Sequence, residues 1–94
     1  MLIRSIKHRG LRRFVEDDDV RELNAELVGR IRNIIAALIV ADAMSDVSGP
    51  PGWRIHMLKG NMAGTRSISV SGNWRITFGV ENDEITDLNL EDYH

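Results

Sequence analysis

Ninety-four residues are enough for one small domain around one core. Apolar content of 43% and charged content of 28% fit a folded chain, and the absence of cysteine excludes disulfides and thiolate metal sites. No signal peptide is recognisable, and the longest apolar run, Ile34–Ala41, is far short of the ~20 residues of a membrane span. Net charge is −2, so the total does not announce a nucleic-acid binder, but the charges come in blocks. Residues 1–13 carry five Lys/Arg and no acid; Glu16–Glu26 carries six acids and one base. Residues 27–80 carry six bases and two acids; residues 81–94 carry six acids and no base. Such a chain is dipolar, and its fold decides whether the bases merge into a patch or form a mixed, solvated surface.

Leu2–Lys7 reads as a strand. His8–Glu16 then fits a short helix with Leu11, Phe14 and Val15 on one side, and His8 as a structural residue at the junction. Its arginines come early and its acids late, against the helix dipole, which makes a basic face toward a ligand a candidate. Asn24 is a suitable N-cap for the main helix. Leu27, Ile31, Ile34, Ile35 and Leu38 recur at helical spacing, which predicts a helix to about Met44. Ser48-Gly49-Pro50-Pro51-Gly52 closes it with a loop.

After Gly52 the period becomes two. Ile68 and Val70, then Trp74, Ile76 and Phe78, alternate with Ser67, Ser69, Arg75 and Thr77. Pairing Val70 with Trp74 and Ile68 with Ile76 keeps partners on one face. That register requires a three-residue loop, Ser71-Gly72-Asn73, with glycine expected to supply the unusual backbone angles. A turn at Glu81–Asp83 leads into Glu84–Leu90, where Thr86, Leu88 and Leu90 alternate with Asp87 and Asn89. The predicted order is β-α-α-β-β-β, a two-layer α+β domain over residues 1–94 with both helices on one face of an antiparallel-rich sheet. The other face, with Ser67, Ser69, Arg75 and Thr77, is predicted to be exposed and polar.

No metal-ligand spacing, phosphate loop or nucleophile elbow occurs. What remains is basic and protic: His56 and Lys59 with Arg54 nearby, Arg66 and Arg75 in the hairpin, and the closing Asp92-Tyr93-His94. RNA cleaves itself when a base takes the 2′-OH proton, an acid protonates the 5′-oxygen and cations hold the phosphorane. Histidine suits either proton transfer. Lys59 and Arg75 suit the phosphate. Tyr93 suits stacking on a base. Taken singly, each residue also has an ordinary structural use: a loop histidine, a turn lysine, an arginine solvating a sheet.

The runs Ile6-Lys7-His8-Arg9-Gly10-Leu11, Arg54-Ile55-His56-Met57-Leu58-Lys59-Gly60, Val70-Ser71-Gly72-Asn73-Trp74-Arg75-Ile76-Thr77-Phe78 and Glu91-Asp92-Tyr93-His94 resemble the HigB toxins. These are killer proteins of plasmid-maintenance toxin–antitoxin systems within the RelE/ParE superfamily. The resemblance implies a RelE-like fold and a cytoplasmic, ribosome-dependent mRNA endonuclease without metal or other cofactor. It cuts in the ribosomal A site and leaves a 2′,3′-cyclic phosphate. The implied partner is a HigA-type helix-turn-helix antitoxin, with operator DNA reached only through it. The implied catalytic set is His56, Lys59, Arg75, Asp92, Tyr93 and His94, with Arg54, Arg66, Lys59 and Arg75 as RNA contacts. Met57 stands where the family usually has proline, and Arg66–Ser71 has fewer arginines than many RelE-type strands. Two competing readings are a ParE-like gyrase inhibitor and a non-enzymatic antitoxin-binding module.

Overall fold

A computed structural model describes residues 1–92. The elements are β1 (Leu2–Ile3), α1 (Arg9–Asp17), α2 (Val28–Val40), β2 (His56–Met57), β3 (Arg66–Ser69), β4 (Trp74–Glu81) and β5 (Glu84–Asp92), with short 3₁₀ turns between α2 and β3. The sheet order is β1-β5-β4-β3-β2. β2 to β5 form an antiparallel meander, and β1 runs parallel beside β5. The α+β class is as expected, but the meander has four strands because the chain at His56–Met57 pairs with Ser67 and Arg66.

α1 starts at His8, whose Nδ1 accepts a 3.1 Å hydrogen bond from the Leu11 amide. A histidine here does the work of the usual Asn or Ser cap, filling one orphan donor of the first turn. The helix ends at Asp18 in the left-handed region (φ 53°). The Asp18 amide bonds the Phe14 carbonyl, the closure of a left-handed cap, and the Asp19 amide bonds the Arg13 carbonyl. The early arginines do not form a free basic face. Arg9 and Arg13 both pair with Glu22, at 3.2 and 2.8 Å, and Arg12 donates to the Ile6 carbonyl. Gly10 is required by close approach: a Cβ there would lie 3.0 Å from the Glu22 carbonyl oxygen and 2.9 Å from the His8 ring.

α2 is shorter than its apolar pattern predicts. Asn24 does not cap it; its side chain and carbonyl close a separate turn through the amides of Glu26 and Leu27. At the other end the amino group of Met1 donates to the carbonyls of Leu38, Ile39 and Ala41. Those carbonyls are occupied, so the helix stops at Val40 rather than near Met44. Ile31, Ile34, Ile35 and Leu38 face the sheet and meet Ile68, Ile76, Phe78, Ile85 and Leu88 in one core. Each such side chain contributes about 1.5–3 kcal/mol on burial.

The β3–β4 hairpin has the expected register, Ile68 opposite Ile76 and Ser69 opposite Arg75. The amides of Val70 and Ser71 both donate to the Trp74 carbonyl, leaving a three-residue loop. Gly72 is not in the positive-φ region, so the loop closes without the special glycine geometry. β5 departs from simple alternation. Thr77 faces Asn89 but Gly79 faces Thr86, so Asp87 and Leu88 together oppose Phe78. Asp87 sits at φ 52°, the first residue of a β-bulge. Thr86 is therefore on the face opposite Leu88 and Leu90, and its hydroxyl lies where a Cβ on Gly79 would be, 2.7 Å away.

The His8 ring is partly buried, and burial lowers its pKa below the ordinary 6.5 although the Glu22 carboxylate pulls it upward. The unfolded chain thus takes up this proton first as pH falls. Stability from the cap is complete above ~6.5 and is lost as pH drops toward the lowered folded value. Chemical denaturation between pH 7.5 and 5.5 should show wild type losing more stability than His8→Asn, which keeps a cap without titrating. His8→Ala should cost about 0.5–2 kcal/mol at pH 7.5.

Candidate functional site

The face away from the helices carries two cross-strand rows. One is His56, Ser67, Thr77 and Asn89; the next is Ser69, Arg75 and Glu91. Directly opposed residues share a face, so His56 and Arg75 project to the same side. Standard sheet spacing separates their Cα atoms by ~10 Å across the strands and ~7 Å along them. Two long side chains can close on one phosphate from such positions.

This face is not open, contrary to the sequence reading. Ser67 is 1% and Thr77 3% exposed. The segment between β2 and β3 folds back over them, anchored by the Leu58 amide on the Thr65 carbonyl. Gly60 (φ 71°) and Gly64 (φ 89°) supply its reversals. Met62 lies on the arginine, with its Sδ 3.9 Å from Arg75 Nη2. Lys59 begins this segment and is exposed, on the loop rather than on a strand. A cavity of about 120 Å³ remains, lined by Lys7, Met62, Thr65, Thr77, Asn89 and Glu91, among others.

His56 is oriented by local backbone. Arg54 adopts the left-handed conformation (φ 46°), and its carbonyl lies 2.7 Å from His56 Nδ1. A carbonyl only accepts, so in the neutral ring Nδ1 carries the proton and Nε2 keeps its lone pair. The ring is exposed and hence accessible.

The two carboxylates at the end of β5 pair with different residues of β4. Asp92 stands opposite Trp74, a position that alternation assigns to the helix side of the sheet. Glu91 is the carboxylate opposite Arg75, and it accepts a 2.7 Å hydrogen bond from the Thr77 hydroxyl. Sequence reasoning passed over Glu91; the signal was the pairing of Arg75 with the penultimate position of β5. Arg66 pairs with Phe78 and Met57, so it projects to the other face from Arg75. Its Nε is buried with no hydrogen-bond partner among the described residues. Tyr93 and His94 lie outside the described residues. Among the described residues no group of three or more His, Asp or Glu side chains could hold a metal ion, and no helix is long and apolar enough to cross a membrane.

Helices on one face of a meander, with a parallel N-terminal strand and a basic, histidine-bearing opposite face, define a RelE-like toxin fold. A YafQ mutant from E. coli aligns with a TM-score of 0.62 at 16% identity, over 96% of this chain and 93% of that one. The YoeB–YefM complex from Staphylococcus aureus gives 0.60 at 17% identity, over 100% and 98%. The family model described as the RelE-like toxin of type II toxin–antitoxin system HigB matches residues 4–94. Endoribonuclease HigB of Proteus vulgaris is 37% identical over 93 residues, 99% of this chain and all of the relative. The chain belongs to the HigB-like toxins of type II toxin–antitoxin systems.

Thr77→Val removes the hydroxyl that Glu91 accepts from, inside a nearly sealed spot, while keeping the side-chain shape. It should lower unfolding free energy by about 1–3 kcal/mol in urea titration, because the carboxylate loses its protein donor.

Proposed function

We propose that this toxin is a cytoplasmic, ribosome-dependent mRNA endonuclease that cleaves by acid–base transesterification. The observation that carries the reading is His56, held by the Arg54 carbonyl in the tautomer that leaves Nε2 free to accept a proton, on the same sheet face as Arg75. The 37% identical relative bears the name endoribonuclease, which supports RNA as substrate. The backbone of RNA supplies its own nucleophile, so the protein need only move protons and stabilise charge.

In the proposed reaction His56 Nε2 takes the proton of a 2′-OH. The 2′-oxygen then attacks the adjacent phosphorus, and the bond from phosphorus to the 5′-oxygen breaks. The leaving oxygen takes a proton from an acid, for which His94 is the candidate. The products are a 2′,3′-cyclic phosphate and a 5′-OH end. Arg75 and Lys59 stabilise the phosphorane charge. Asp92 is the candidate to support an imidazolium, and Tyr93 to stack on a base. Glu91 enters as the carboxylate beside Arg75. The partner is a HigA-type helix-turn-helix antitoxin, and operator DNA is reached only through it. The solved YoeB–YefM complex, a similar fold with a second component, supports an antitoxin partner.

Purified toxin added to programmed ribosomes should cut mRNA and leave cyclic phosphate ends. His56→Ala and His94→Ala should each lower the rate by roughly 10²–10⁴. Full cleavage by both variants, or arrest of DNA replication before translation on induction, would refute the proposal.

A further inference from the structure

A second concavity adjoins the site at the edge of the sheet. β2 pairs only with Arg66 and Ser67 of β3, so Ser69 and Val70 have no strand beside them on that edge. The gap is a cleft of about 530 Å³, within the ~300–1,000 Å³ typical of small-ligand sites. Its walls include Arg30 and Asn33 of α2, Trp53 and Arg54 of the preceding loop, and Ser69 and Ser71 of the hairpin.

The chemistry of these walls is one-sided. Two arginines line the cleft, and among the described residues no Asp or Glu does. Most arginines of the N-terminal half are taken by acids: Arg4 by Glu81 and Glu84, Arg9 and Arg13 by Glu22, Arg21 by Asp19, Arg32 by Asp18. Arg30 and Arg54 have no ion pair among the described residues. Arg30 Nη1 donates to the Val70 carbonyl at 3.2 Å, which holds the guanidinium at the cleft while leaving its other donors. Trp53 supplies an aromatic wall backed by the chain itself. A Cβ on Gly49 would fall 2.2 Å from the indole Cε3, so the ring rests on the Gly49 backbone. Fixed cations beside a braced indole suit a ligand with a phosphate and a flat base.

The cleft is continuous with the face described above. Arg54 lines the cleft, and its carbonyl meets His56 Nδ1. Ser69 lines the cleft and stands opposite Arg75. We infer that the cleft between α2 and the hairpin tip is a subsite for one RNA nucleotide neighbouring the cut phosphate, with Arg30 and Arg54 on its phosphate and Trp53 against its base. The inference rests on the nuclease reading for its position relative to the cut, but its binding chemistry is testable without cleavage.

The probe is a fluorescent single-stranded RNA octamer, 2′-O-methylated throughout so that no nucleophile is present. Its affinity is measured over a range of salt for wild type, Arg30→Gln and Arg30→Lys, each with a thermal melt to establish folding. A parallel arm measures binding to vacant ribosomes, separating substrate RNA from ribosomal RNA as the source of the nucleotide. Arg30→Gln should weaken binding about 10-fold in at least one arm. Its slope of log affinity against log salt should be shallower by ~0.7, the loss of one single-strand phosphate contact. Arg30→Lys, keeping the charge, should restore the slope. Unchanged affinity and slope in both arms, or no RNA binding by wild type in either, overturns the subsite. Cleavage by wild type with an unaltered Arg30→Gln would overturn the subsite and leave the nuclease reading intact; binding with no cleavage would do the reverse.

Discussion

The bulge at Asp87–Leu88 sets the phase of everything that follows it in β5. Side chains on a strand alternate, so one extra residue exchanges the two faces. Before the bulge Ile85 faces the helices; after it Leu88 and Leu90 do, and Asn89 and Glu91 join the rows of Thr77 and Arg75. Without it, continuous alternation from Ile85 would turn Asn89 and Glu91 to the core and Leu88 and Leu90 to the site. The segment after β1 secures the arrangement. The Ser5 hydroxyl accepts from the Asp87 amide at 2.8 Å, and the Ser5 carbonyl accepts from the Leu88 amide at 3.0 Å. The segment that follows the first strand thereby helps fix which side of the last strand meets the arginine.

That dependence explains what was legible in the sequence. The β3–β4 hairpin was, because Val70 against Trp74 and Ile68 against Ile76 admit only one register with matched faces. The core stripe of α2 was, because five apolar residues repeat at one period. The bulge was not: Thr86, Leu88 and Leu90 look like one face, and only the backbone angle of Asp87 shows that Thr86 belongs to the other. β2 was not, since two residues carry no period. The end of α2 was hidden because it is decided by the Met1 amino group, distant in sequence. At the candidate site, resemblance pointed to His56, Lys59 and Arg75, and the sheet register puts His56 and Arg75 on one face. Glu91 was missed because its relation to Arg75 exists only across two strands.

A short backbone detail also orients the His56 ring. Arg54 in the left-handed region bends the chain so that its own carbonyl meets the ring two residues on. Non-glycine residues adopt that conformation at a cost, of order 1–3 kcal/mol for strained cases, so it persists only where its surroundings require it. Here the 3₁₀ turn Pro51–Trp53 imposes it, with the Arg54 amide bonded to the Pro51 carbonyl. The proline-rich loop that reads as a mere helix terminator therefore also aims His56.

Net charge is a poor guide to this molecule because its acids and bases are spatially sorted. Glu22 meets Arg9 and Arg13, Asp19 meets Arg21, Asp18 meets Arg32, and Glu81 and Glu84 meet Arg4. Exposed pairs of this kind add little stability. Their larger effect is on the field: they neutralise one end of the domain at short range, where screening by salt does not undo the pairing. Arg30, Arg54 and Lys59, drawn from the acid-poor middle of the chain, then face outward on the side of β2 and the hairpin. The local charge there is a surplus of bases rather than the total of −2. An acidic chain can in this way carry a locally basic surface, in which Arg30 and Arg54 line the Trp53 cleft and the Arg54 carbonyl meets His56.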